Sequence, residues 1–217
     1  MSLYTQKRLH LDKTQVSPEE FDAAYVATVG NGRLFLYDHF GSMESDHLLN
    51  KIRFMVAGCG CRSIVLDHIS IVVSDMEDDG HEGERKMIDR VMTRIRSLVQ
   101  ELKFRLLLIC HLKKADGTPH EEGGRVTLDD LRGSGSLKQL SDTIVAFERN
   151  QQDEARKHWT MARCLKCRWT GDTGECDWLL YDQETGLVHP GEPAFDEEVQ
   201  VEGSPKPASK EGVDYGF

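Results

Sequence analysis

The chain of 217 residues is 39% hydrophobic and 29% charged, with a formal net charge of −10 at pH 7. That balance excludes a general nucleic-acid-coating protein while leaving room for a local basic site, and no window approaches the roughly 18 apolar residues of a membrane span. The opening MSLYTQKRLHLDKTQ has no apolar secretion core, so a cytoplasmic, reducing compartment is expected, with the six cysteines kept as thiols. In chain order, LFLYDHF (34–40) reads as a short strand, and ESDHLLNKIRFMVAG (44–58) as an amphipathic helix with Ser45 as N-cap and Gly58 as stop. SIVLDHISIVV (63–73) follows as a β-branched strand with Asp67 and His68 at its middle. After the charged turn DMEDDGHEGE comes RKMIDRVMTRIRSLVQELK (85–103), where Met87, Ile88, Val91, Ile95, Leu98, Val99 and Leu102 form one apolar stripe. RLLLICHL (105–112) is a buried strand, 113–136 is polar and Gly-rich, and SDTIVAFERN, MARCLKCRWTG and DWLLYDQETGLVHP read as a β-meander.

Alternating strands and helices imply an α/β fold: a mostly parallel sheet flanked by helices, with antiparallel strands at its edge. Ligands of such sheets gather at the carboxyl ends of the strands, which places Asp67 and His111 on one rim. A carboxylate there either ends the strand with a local hydrogen bond or holds Mg²⁺ beside nucleotide phosphates. His111 is either a core histidine or a group that senses a terminal phosphate. Lys113, Lys114, Arg125 and Arg132 lie in the long loop, and the glycines of RGSGS, Gly133 among them, permit close approach of a phosphodiester. Lys166 and Arg168, two apart in KCRWTGDTG, share a strand face where core packing gives no reason for two cations. They suit either an arginine finger or an ordinary basic surface. Cys164 and Cys167, an odd number of residues apart, face opposite sides of a regular strand, so zinc is not expected.

Together IVLDHISIVV, ERKMID, ICHLKK, HEEG, DLRGSGSLKQLSDTIVAFERNQQ and LKCRWTGDTG resemble, in this order, the helicase domain of phage primase-helicases, with Twinkle and the DnaB class more distant. The resemblance covers about residues 34–190. It implies a RecA-like domain over 1–190 that acts in a hexameric ring on single-stranded DNA, unwinding 5′ to 3′ with Mg²⁺ and ATP or dTTP. Asp67 matches the metal-holding carboxylate, His111 the phosphate sensor and Arg168 the finger given to a neighbouring subunit, with Lys166 beside it. Gln139 matches a residue coupling nucleotide state to DNA contact, while Lys138 stands where the pattern has arginine. Arg149 and Tyr181 match residues that hold the base, and Lys113, Lys114, Arg132 and Gly133 match channel loops that grip DNA. If phage-encoded, the chain works in the host cytoplasm.

Residues 191–217 carry seven acids against two lysines, are poor in apolar residues, and are expected to be a disordered tail. The tail ends in Phe217, which by the same resemblance docks a replicative DNA polymerase. The pattern G-x-x-x-x-G-K-[ST] does not occur in the chain, so the phosphate-cradling loop has no match here. Three expectations stay open: a portion of a helicase motor, one half of a split helicase, or a non-catalytic adaptor for DNA and polymerase.

Overall fold

A computed structural model describes residues 1–9, 11–38, 45–72, 80–115, 117–132 and 135–195. After a one-turn helix α1 (Ser2–Thr5), the chain enters α2 (Pro18–Thr28) through a full capping box. Ser17 accepts from the Glu20 amide at 3.2 Å, Glu20 returns the bond at 2.9 Å, and Pro18 occupies the first turn. The S-P-E-E run (17–20) announced this helix, and the sequence reading passed over it.

The core forms around α3 (Ser45–Ala57) and α4 (Gly80–Leu102) against β1 (Ser63–Leu66) and β2 (Arg105–Leu108). Ile88, Val91, Ile95 and Leu98 of the predicted stripe are buried, joined by Met92, while Met87, Val99 and Leu102 pack half-buried at its margin. Arg53 of α3 and Glu101 of α4 add an exposed two-point ion pair at 2.5 and 3.0 Å. Helix α4 stops at Lys103, whose φ of 57° is the left-handed conformation that ends helices.

β1 and β2 pair in parallel, Ser63 with Arg105 through Leu66 with Leu108. Beyond Asp142, β3 (Thr143–Glu148), β4 (Trp159–Cys167), β5 (Gly174–Tyr181) and β6 (Val188–Pro190) pair antiparallel in chain order. Among the described residues these four make a sheet of their own, so the meander is present but shares no ladder with the parallel pair.

Three expected elements differ from what forms. Residues 34–38 of the predicted first strand are irregular, with Leu36 82% exposed, because no strand among the described residues pairs with them; 39 and 40 fall outside the described residues. The long run 63–73 divides: β1 ends at Leu66, and Ile69–Val72 turns into a 3-10 helix. The Ile69 amide donates to the Ile109 carbonyl at 3.2 Å and the side chain is fully buried, so the turn is held by β2 and by the core. Asp67 therefore follows a strand rather than interrupting one. The loop after β2 is also built rather than structureless: Leu112 bridges Leu131, and Thr127 and Asp130 cap a 3-10 turn at Leu128–Asp130.

Candidate functional site

The parallel pair sets the first cluster. Because Leu66 lies opposite Leu108, the residues that follow both strands emerge on the same rim. Asp67 is exposed there, and His68 and His111 meet edge to face with ring centroids 4.3 Å apart. Nδ1 of His68 is buried and has no hydrogen-bond partner among the described residues. A carboxylate open to solvent suits a hydrated divalent cation held through water, while no group of three or more His, Cys, Asp or Glu side chains that could ligate a metal directly gathers among the described residues. Asp67 follows β1 and His111 lies beyond β2 on this rim, and the ring that meets His111 is that of His68, which the sequence reading noticed without assigning a role.

The loop residues expected to grip DNA are fastened to the same rim. The Arg132 amide donates to the His111 carbonyl at 2.9 Å, the Lys113 amide to Asp130 at 2.7 Å, and Lys113 Nζ to the Asp129 carbonyl at 2.9 Å. Lys114 is exposed, whereas Gly133 lies outside the described residues. Cys110 Sγ, held 3.3 Å from the carbonyls of His111 and Arg132, has its pKa pushed up by burial and so stays a thiol.

The second cluster lies at the far end of α5 (Gly135–Leu140), a helix anchored by the buried Leu137. Lys166 Nζ donates to the carbonyls of Lys138, of Gln139 at 3.3 Å and of Ser141 at 2.9 Å. Arg168 Nη2 donates to the same Gln139 carbonyl at 2.5 Å, and its Nη1 stands 3.3 Å from Asp142. These are the orphan carbonyls of a helix end, where cations are favoured. The two cations thus have a structural task at a helix end, which neither the finger reading nor the basic-surface reading of the sequence named, and Gln139 meets them through its backbone. Asp142 is the anion at the centre: Arg96 donates to it at 2.6 Å and, with Arg168 and Lys166 nearby, holds its carboxyl below the usual range. Neither Arg96 nor Asp142 carried a sequence signal, since their meeting depends on α4 packing against α5, which ends just before Asp142.

α5 connects these clusters. It begins three residues after Arg132, which is bonded to His111, and it ends under Lys166 and Arg168. Six residues at about 1.5 Å each span about 9 Å.

Arg149 and Tyr181 form a third group, pinned to one loop. Arg149 Nε donates to the Lys157 carbonyl at 2.6 Å, and the Tyr181 amide to the His158 carbonyl at 2.8 Å. Arg149 also lines a 540 Å³ cavity with Trp159, Trp178 and Phe195, and Phe195 packs edge to face on both tryptophans. Phe217 and the rest of 196–217 lie outside the described residues.

Against this geometry, the DnaB-like helicase C terminal domain matches residues 5–186. The chain belongs to that family. It is 49% identical over 171 residues to the DNA helicase/primase of Enterobacteria phage T3, an alignment that takes in 78% of this chain and 30% of the relative. The chain thus spans less than a third of that relative's length. A KaiC-like protein from the archaeon Pyrococcus horikoshii superposes with a TM-score of 0.50 at 12% identity, over 78% of this chain and 64% of that one, a likeness of fold alone. The RecA-like α/β architecture expected from the sequence is therefore present. No helix of the described residues is long and apolar enough to cross a membrane.

Proposed function

We propose that residues 1–190 are part of the motor of a replicative DNA helicase, a ring-forming enzyme that unwinds DNA 5′ to 3′ by nucleotide hydrolysis at subunit interfaces. The observation that carries this is the shared rim of β1 and β2, where Asp67 follows β1 and the rings of His68 and His111 meet, in a chain of this family. Asp67 would hold Mg²⁺ through its water shell, and the ion would neutralise the phosphates of ATP or dTTP. His111 reads the terminal phosphate and passes its loss, through Arg132 and α5, to Gln139 and the clamp at Lys166 and Arg168. Arg168, 41% exposed, reaches the transition-state charge in a neighbouring subunit while Lys166 holds the helix end. Arg149 and Tyr181 hold the base; Lys113, Lys114, Arg132 and Gly133 meet the phosphates of single-stranded DNA. The acidic segment 191–217 docks a replicative DNA polymerase through Phe217.

Since the chain contains no G-x-x-x-x-G-K-[ST] pattern, the loop that cradles the phosphates is supplied by residues outside 1–217. The test is hydrolysis of ATP and dTTP by the purified chain with Mg²⁺ and single-stranded DNA, alone and with a separately expressed P-loop segment. Activity only on mixing supports the motor; inactivity of the mixture, with polymerase and single-stranded DNA still bound, replaces it with the adaptor.

A further inference from the structure

The turn after β1 is held on both sides of His68. The Leu66 carbonyl accepts from the Ile109 amide at 3.0 Å, and the Ile69 amide donates to the Ile109 carbonyl at 3.2 Å. His68 thus stands between two residues fastened to Ile109, and its half-buried ring has little freedom. His111 is the opposite case. Its carbonyl accepts from the Arg132 amide at 2.9 Å, yet its side chain is exposed and has no hydrogen bond among the described residues. An imidazole so placed has three staggered choices at χ1 and a broad, two-fold choice at χ2. What limits them is the His68 ring, edge to face at a centroid distance of 4.3 Å and an interplanar angle of 64°.

We propose that His68 is a positioning residue for His111: the fixed ring confines the exposed one to a single orientation on the rim shared with Asp67. This rests on the reading of His111 as the group that senses the terminal phosphate. Such a group contributes only while it points at its target, so an imidazole free to turn delivers its hydrogen bond in a fraction of encounters. The confining contact is one of shape. The His68 imidazole makes no hydrogen bond among the described residues, and its Nδ1 is buried without a partner. A phenyl ring in that place therefore keeps the edge-to-face contact and forfeits no bond, whereas a methyl group removes the contact altogether. Core packing does not account for His68 either, since the apolar anchor of this turn is Ile69, 0% exposed. An aromatic pair of this kind biases an equilibrium roughly threefold to tenfold.

Two measurements on His68→Ala and His68→Phe test this. In NMR spectra of the 217-residue chain with ring-labelled histidine, the signals of His111 are those lost in His111→Gln. His68→Ala is expected to move them toward the shifts of free histidine and to lower the order parameter of the ring, while His68→Phe keeps the ring ordered. The Ile109 amide stays protected from exchange in both variants, which shows the β1–β2 ladder intact. In the reconstituted motor with single-stranded DNA, His68→Ala lowers kcat roughly threefold to tenfold with KM for nucleotide unchanged, and His68→Phe retains most of the rate. Unchanged His111 signals in His68→Ala, or full turnover by that variant, would overturn the proposal. Equal loss of kcat in the two variants would overturn it too, because the imidazole nitrogen itself would then be the requirement. The spectra are read without nucleotide, so they decide the ring contact separately from hydrolysis: a motor inactive with the unaltered chain refutes the sensor reading, whereas unchanged His111 signals refute the positioning.

Discussion

Lys166→Met separates the two roles that the cation pair plays. The substitution keeps the aliphatic stem along β4 and removes only the ammonium, which donates to three carbonyls at the end of α5. A hydrogen bond from a charged donor contributes about 1.5–3 kcal/mol. One ammonium divided among three acceptors, with Gln139 exposed and able to turn to water, gives about 2 kcal/mol for the set. For a domain of this size, that shifts the thermal midpoint down by about 4–8 °C. Arg168→Met removes one carbonyl contact and an ion pair from a side chain 41% exposed, and solvent screening reduces its stability effect to well below 1 kcal/mol. Thermal unfolding followed by circular dichroism distinguishes the two variants. A fall below 2 °C for Lys166→Met (about 0.5–1 kcal/mol), or an equal fall for both, would refute Lys166 as the principal clamp of α5.

In the reconstituted motor, Asp67→Ala and Arg168→Ala each abolish hydrolysis while the circular dichroism spectrum is kept; normal turnover in either sinks the site. Ile95→Ala, at a side chain 1% exposed in the centre of the α4 stripe, costs about 3 kcal/mol in urea unfolding, within the 2–5 usual for such truncations. Asp142 has a depressed pKa in the fold, so its share of stability is present above the ordinary carboxylate value near 4 and is lost as pH falls through the lower folded value. Asp142→Asn therefore flattens the acid limb of stability below about pH 4, and an unchanged limb counts against Asp142 as the anion at the centre of the cluster. Lys114→Ala lowers the salt slope of single-stranded DNA binding by about 0.7, the value of one phosphate contact; an unchanged slope removes Lys114 from the DNA surface.

Local pattern alone determined much of this protein. The stripe of α4, the end of α3 at Gly58 and the order of the meander follow from periodicity and turn residues, which act over a few positions. The placement of Asp67 and His111 on one rim was legible because each follows a β-run and neighbouring parallel strands end on the same side. What tertiary structure decided depends on residues far apart in sequence. The run 63–73 reads as one strand until Ile109 and the core bend Ile69–Val72 into a turn. Lys166 and Arg168 read as unexplained cations until the end of α5, nearly thirty residues earlier, is seen beneath them. Residues 34–38 have a strand's composition and no strand's pairing, because a strand exists only through its neighbour. The same dependence leaves β2 and β3, among the described residues, with open edges, since hydrogen bonds across a sheet belong to whichever segment comes to lie alongside and not to the strand that offers them.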